Sequence, residues 1–287
     1  SFASQPFREV AAASALSAVQ LYWVGSRETM AHYVDRAAAD GARALVLTMD
    51  VTPGAAHRDW GSPRLPESLT PAEMVRALPQ VVTRPRWLAG FLAAGLPTLR
   101  LPNLQTPTSA PPTLVAGRRL MAQAGLPSWQ DVAWLRSRWP GPFMVKGVMH
   151  PSDARRAVDA GATAVAVSNH GGNNLDGTVS ALRTLTSVVR AVGHETEVLY
   201  DGGVRRGGDV AKALALGARA VLIGRAWVFA LAAGGESGVR DVLTALRDDL
   251  ATTVTGLGHA DVSELNRSEL VIPEGFELDL DDGALGG

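Results

Sequence analysis

The clearest chemical signal in this chain is a histidine placed at the end of an apolar run and ahead of two glycines, in Val165–Asp176, VAVSNHGGNNLD. Ala164–Val167 seeks burial, whereas His170 seeks a reacting proton or a hydrogen-bond partner. Gly171 and Gly172 let the backbone turn sharply beside a flat ligand. A single histidine of this kind is more simply a buried ring satisfied by a carbonyl. The pattern recurs, however. Apolar runs along the chain close on Gln20 and Tyr22, on Thr48 and Asp50, on Lys146, on Ser168 and His170, on Asp201 with Gly202 and Gly203, and on Gly224 and Arg225. A purely structural sheet has no use for a lysine, a histidine and two aspartates at the same end of its strands, so a shared site is expected there.

Two of these positions suit a phosphate. DGGVRRGGDVAKA begins at Asp201 and IGRAWVFALA at Ile223. Their glycines expose backbone N–H groups and Arg205 and Arg225 add charge. Helix-capping glycines with solvated arginines would give the same letters singly, but the pairing at short spacing favours an anion site. Lys146 closes PFMVKG. It would serve either as a Schiff-base nucleophile or as a holder of negative charge on a cofactor, and both need a partly desolvated amine.

The elements that must carry these residues follow from the apolar pattern. Six short runs read as buried parallel strands: Val19–Trp23, Ala44–Met49, Phe143–Val145, Ala164–Val167, Glu197–Tyr200 and Ala220–Ile223. Helix patterns over Glu28–Asp40, Pro151–Ala160, Ala181–Val192 and Gly208–Leu216 each run into a glycine. Strand, helix, glycine, strand is the rhythm of an α/β parallel sheet. In a (β/α) barrel all strands point one way, which brings their closing residues to one rim, and a phosphate site after the last two strands is common there.

Val51–Ser128 breaks the rhythm with RDWGSPRLPESL, TRPRWL and TLRLPN. A connection this long is expected to be a lid over a site, partly packed through its tryptophans and without a sustained apolar face. The chain opens with SFASQPFREVAA, which reads as the end of a strand and the start of a helix. After Ile272 the sequence turns acidic and glycine-rich, and a mobile end is expected there.

Composition narrows the classes. At 287 residues the chain is long enough for one large α/β domain. Mean hydropathy of +0.08 and the lack of a long apolar run exclude a spanning helix. A net charge of −1 gives no reason to expect nucleic acid. The absence of cysteine excludes disulfides, thiolate catalysis and cysteine-held zinc, and no metal site is expected. No signal peptide is visible, so a cytoplasmic location is the default.

Taken in order, QLYW, LTMD, KGV, VSNHGG-x-x-LDG, DGGVRRGGDV-x-KALALGA and IGRA resemble the FMN-dependent α-hydroxy-acid oxidases and dehydrogenases over nearly the whole chain. The resemblance implies a (β/α)8 TIM barrel, here lacking the N-terminal segment and the first two strands. Residues 1–272 would form the FMN-binding barrel, with residues 51–128 a lid-like insertion and residues 273–287 an acidic tail. It implies that Gln20, Thr48, Lys146 and Ser168 touch the flavin, with Lys146 beside its ring to stabilise negative charge. Asp201, Gly203, Arg205, Gly224 and Arg225 would hold the ribityl chain and phosphate. His170 would be the active-site base, Asp50 would stabilise its charged form, and Tyr22 would line the substrate pocket.

Two departures bear on the substrate. The family pattern has an arginine after SNHGG that grips the substrate carboxylate as a fork, and here that position is Asn173. A second family arginine follows the LT-x-D strand, where this chain reads PGAAHRDWGSP, with His57 at or near that position and Arg58 next. A substrate without a free carboxylate is therefore expected, since asparagine both donates to and accepts from an amide. SFAS-x-P, HRDWGSP-x-x-P, TRPRWL, LR-x-PN, GPFM-x-KGVM, VSNHGGNNLDG and TGLGHA are similar to the branch of that family that acts in mycofactocin biosynthesis. That resemblance implies oxidative deamination of a peptide-derived substrate, the Val-Tyr-derived amino-lactam, to the α-keto lactam with release of ammonia. It leaves oxygen or a redox partner as electron acceptor and implies a homo-oligomer. The alternatives are an L-2-hydroxy-acid dehydrogenase or oxidase of the lactate or mandelate type using Arg58, and an inactive scaffolding fragment.

Overall fold

The computed structural model describes residues 2–51, 70–93, 100–175, 177–278 and 280. In chain order its elements are α1 (Phe7–Ala13), β1 (Ala18–Tyr22), α2 (Arg27–Ala39), β2 (Ala44–Thr48), α3 (Pro71–Val82), α4 (Pro85–Ala93), α5 (Leu114–Ala124) and α6 (Trp129–Arg138). There follow β3 (Phe143–Val148), α7 (Pro151–Asp159), β4 (Ala164–Val167), α8 (Ala181–Val192), β5 (Glu197–Asp201), α9 (Gly207–Ala215), β6 (Ala220–Leu222) and α10 (Arg225–Gly256).

The strands form one sheet in the order β1-β2-β3-β4-β5-β6. The pairs from β2 through β6 are parallel. Strand order that follows chain order, with helices between strands, is the winding of a (β/α)8 barrel, of which these are six strands. All six predicted strands are present, with ends that coincide or differ by at most three residues. They could be read because Leu45, Leu47, Phe143, Val145, Val165 and Val167 are wholly buried, so the runs are continuously apolar rather than alternating. Each such side chain contributes about 1.5–3 kcal/mol on burial.

The chain divides into two compact units. One takes Ser1–Val19, Trp23–Arg43 and His57–Gly125. Within it Tyr33 donates to the Leu104 carbonyl at 3.0 Å, Arg36 to the Pro102 carbonyl at 2.8 Å, and the Phe7 N–H to Asn103 at 2.8 Å. Leu101 and Leu104 of the long connection are both buried, while Trp87 is half exposed and Trp60 lies outside the described residues. α3 also carries an apolar face that the sequence reading did not find. Val75, Leu78 and Val82 lie on one side of it and are exposed.

The other unit takes Gln20–Tyr22, Ala44–Ala56 and Leu126–Gly287. Its helices close on local devices. Ser128 and Asp131 cap α6 reciprocally, and Asp209 accepts from the backbone of Arg205 and Arg206, each at 3.0 Å, at the start of α9. The described start of the C-terminal segment is fastened to α8. Arg183 donates to the carbonyls of Phe276 at 2.6 Å and Gly275 at 2.7 Å, and Thr186 donates to Glu277 at 2.7 Å. Among the described residues no helix is long and apolar enough to cross a membrane.

Candidate active site

The residues that close the strands are joined by a chain of hydrogen bonds. At the end of β1, Gln20 donates through Nε2 to Thr48 Oγ1 at 2.9 Å, which ties the ends of β1 and β2. Two residues past β2, Asp50 faces His170. Its two carboxylate oxygens lie 3.2 and 3.3 Å from His170 Nδ1. A nitrogen between two carboxylate oxygens carries the proton, which leaves Nε2 as the lone-pair nitrogen. Tyr22 is part-buried; burial first, and the nearby Asp50 charge second, push its hydroxyl above the usual tyrosine range.

His170 is held in an uncommon conformation. Among the described residues it is the non-glycine residue with positive φ, at 56°, and Gly171 and Gly172 follow at 62° and 72°. Its backbone N–H donates to Ser168 Oγ at 3.1 Å. Ser168 is fully buried and also accepts from Lys146 Nζ at 2.9 Å. Lys146 in turn pairs with Asp201 Oδ2 at 2.8 Å, both side chains being about 15% exposed (15% and 14%). An ammonium with a carboxylate and a hydroxyl for partners suits a holder of charge rather than a free amine nucleophile.

Two contributors escaped the sequence reading. Asn174 donates through Nδ2 to the Asp50 carbonyl at 3.0 Å. Gly147, at φ +100°, sits where the register of β3 against β4 shifts, and a Cβ there would lie 2.6 Å from Asp50 Cβ and 2.8 Å from its backbone N. The missing side chain is what admits Asp50. The KG pair and the second asparagine of NN were visible, but only the three-dimensional path of residue 50 gives them meaning. Asn173, on the same turn as His170, is exposed and donates to Asn174 Oδ1 at 3.3 Å. His57, Arg58 and Asp176 lie outside the described residues.

The residues expected to hold an anion follow β5 and β6. Gly203 and Gly224 each leave open space where a Cβ would stand, next to the exposed side chains of Arg205 and Arg225. The backbone N–H of Arg205 is taken by Asp209, so the guanidinium is what Arg205 offers. Arg225 donates to the Gly171 carbonyl at 3.0 Å, which joins this side to the His170 turn. Among the described residues no group of three acidic, histidine or cysteine side chains stands together as a metal ligand set.

The family model described as FMN-dependent dehydrogenase matches residues 1–272. The chain belongs to that family. It is similar to pre-mycofactocin synthase of Mycobacterium tuberculosis, at 50% identity over 98% of this chain and 71% of that protein. It is also similar to L-lactate dehydrogenase of Xanthomonas campestris, at 40% identity over 88% of this chain and 64% of that protein. Among solved structures it is similar to the monotopic membrane protein (S)-mandelate dehydrogenase, with a TM-score of 0.79 and 34% identity over 92% of this chain and 69% of that one. The chain is thus an FMN-dependent oxidoreductase with a TIM-barrel fold, and its cofactor is FMN. The residues fit that group: glycines with open space at the phosphate end, arginines beside them, and a cation between Asp201 and Ser168 at the ring end.

Proposed function

We propose that this enzyme oxidatively deaminates the Val-Tyr-derived amino-lactam precursor of mycofactocin, giving the α-keto lactam and ammonia. The observation that carries this reading is Asn173. It stands on the turn that presents His170, at the position where the family pattern has its carboxylate-gripping arginine. An asparagine amide matches a lactam amide, donating to its carbonyl and accepting from its N–H. Half identity to pre-mycofactocin synthase over nearly the whole chain supports the same substrate.

FMN, when bound, supplies the two-electron acceptor. The chain's own residues do the rest. His170 Nε2 takes the substrate proton, and the Asp50 carboxylate at Nδ1 compensates the charge that the ring gains. Tyr22 donates to the substrate oxygen. Lys146, fixed by Asp201 and Ser168, offsets negative charge on the ring side. Arg205 and Arg225 hold the phosphate, with Gly203 and Gly224 giving it room. Loss of one proton to His170 and of one hydride equivalent to FMN, when bound, would turn the substrate amine into an imine, and addition of water would give the ketone and release ammonia. Oxygen or a redox partner takes the electrons.

A second reading, an L-2-hydroxy-acid dehydrogenase with Arg58 as carboxylate clamp, is favoured by the 40% identity to L-lactate dehydrogenase. Anaerobic mixing of the FMN-loaded chain with the amino-lactam or with L-lactate, following the flavin band, separates them. Bleaching by the amino-lactam alone is expected. Bleaching by lactate alone transfers the chain to the second reading, and a folded chain that takes up no flavin is an inactive scaffold.

A further inference from the structure

Ser168 has a place in the hydrogen-bond chain that a simple flavin contact does not explain. Its hydroxyl is fully buried, and its two lone pairs are filled by donors from the protein itself: Lys146 Nζ at 2.9 Å and the His170 N–H at 3.1 Å. The second of these falls on the residue that most needs it. His170 lies at φ 56°, in the left-handed region that a side chain disfavours, and such a conformation persists only where its surroundings over-determine it. The preceding strand anchors the hydroxyl. The Ser168 N–H donates to the Val148 carbonyl at 3.2 Å, so Oγ is fixed by the β3–β4 pairing rather than by the turn.

We propose that Ser168 is a positioning residue that holds the left-handed His170 backbone and the Lys146 ammonium on one oxygen. It thereby fixes the spacing between the base turn and the cation on the cofactor side. The rate arm of its test rests on His170 being the base; the exchange arm needs neither FMN nor substrate. A serine that only touched the flavin would act on affinity. A serine that positions His170 acts on the maximal rate and on the protection of one amide.

The test is Ser168→Ala in the full chain, read three ways. Residue-resolved amide exchange of the flavin-free chain should show His170 exchanging about tenfold faster or more. The Kd for FMN should stay within about threefold, because the arginine and glycine end is untouched. With whichever substrate reduces the flavin, the limiting reduction rate should fall on the order of 10–100-fold while KM stays near the parent value, the loss expected when a base is misplaced by about 1 Å. Ser168→Thr keeps the acceptor oxygen and should restore the amide protection; if its extra methyl prevents folding, the alanine variant decides alone. Weakened FMN binding with unchanged His170 exchange would make Ser168 a cofactor contact and overturn the proposal. Unchanged exchange, affinity and rate would overturn it equally, leaving Ser168 as packing. If the amino-lactam fails as substrate while the exchange result holds, the substrate reading falls and the positioning role stands.

Discussion

At His170 the two ring nitrogens have separate tasks, and the carboxylate of Asp50 assigns them by holding the proton on Nδ1. On the proposed mechanism, removing the ring removes the base without touching the arginines and glycines proposed to hold the phosphate. His170→Ala should therefore keep FMN affinity within about threefold and slow flavin reduction by about 10²–10⁴-fold. Stopped-flow reduction of the FMN-loaded variant checks it, and an unchanged rate would take His170 out of the mechanism. Much of this was legible in the letters. A histidine after an apolar run, two glycines and recurring acid or amide residues at other strand ends pointed to one rim. Asn174 was not legible as a partner of Asp50, because a side chain reaching a backbone carbonyl more than a hundred positions away leaves no local pattern. The left-handed φ of His170 was equally hidden, since that region is ordinarily occupied by the glycines that follow.

Strands were the most readable elements, because burial on both faces leaves uninterrupted apolar runs. The irregularity inside β3 was not. Gly147 lies where register is lost between Lys146 and Val148, and the vacated space is filled by Asp50. Gly147→Ala would place a methyl against Asp50 and hold an alanine at a φ of +100°, so the backbone must shift. The expected result is a loss of about 1–3 kcal/mol in stability by chemical denaturation, with flavin reduction slowed beyond the effect of lower folded fraction. A fully active, equally stable Gly147→Ala would show that Asp50 does not depend on that gap. α3 and α4 were missed for a different reason. Prolines at 71, 79 and 85 argue for a loop, yet Pro71 and Pro85 open helices, where a missing N–H costs nothing. The apolar face Val75, Leu78 and Val82 emerges only once that helical period is known.

At the scale of the whole molecule, the first residues of the acidic, glycine-rich segment after Ile272 are fastened to α8, while the end expected to be mobile lies outside the described residues. Glu277 shows how. Arg267 first, with Thr186 and the charge of Arg190, draws its carboxyl down to about 2 from 4.5. A carboxyl lowered on folding stabilises the fold above its ordinary value, and that contribution is lost as pH falls through the folded value. Glu277→Gln should then be less stable than the parent at neutral pH by no more than about 1 kcal/mol, because the pair is partly solvated. The difference should shrink between about pH 4.5 and pH 2 and vanish below. Urea midpoints across that range check the sign; a gap that persists in acid would assign the effect to packing.

Strand order that follows chain order has one more consequence. Each rim residue is delivered by its own βα unit: Lys146 by β3, His170 and Asn173 by the turn after β4, Asp201 by β5, Arg225 after β6. Such an assembly is modular in inheritance as well as in shape. A change in the turn after β4 can exchange one class of substrate for another while the units that grip the cofactor pass unaltered from ancestor to descendant.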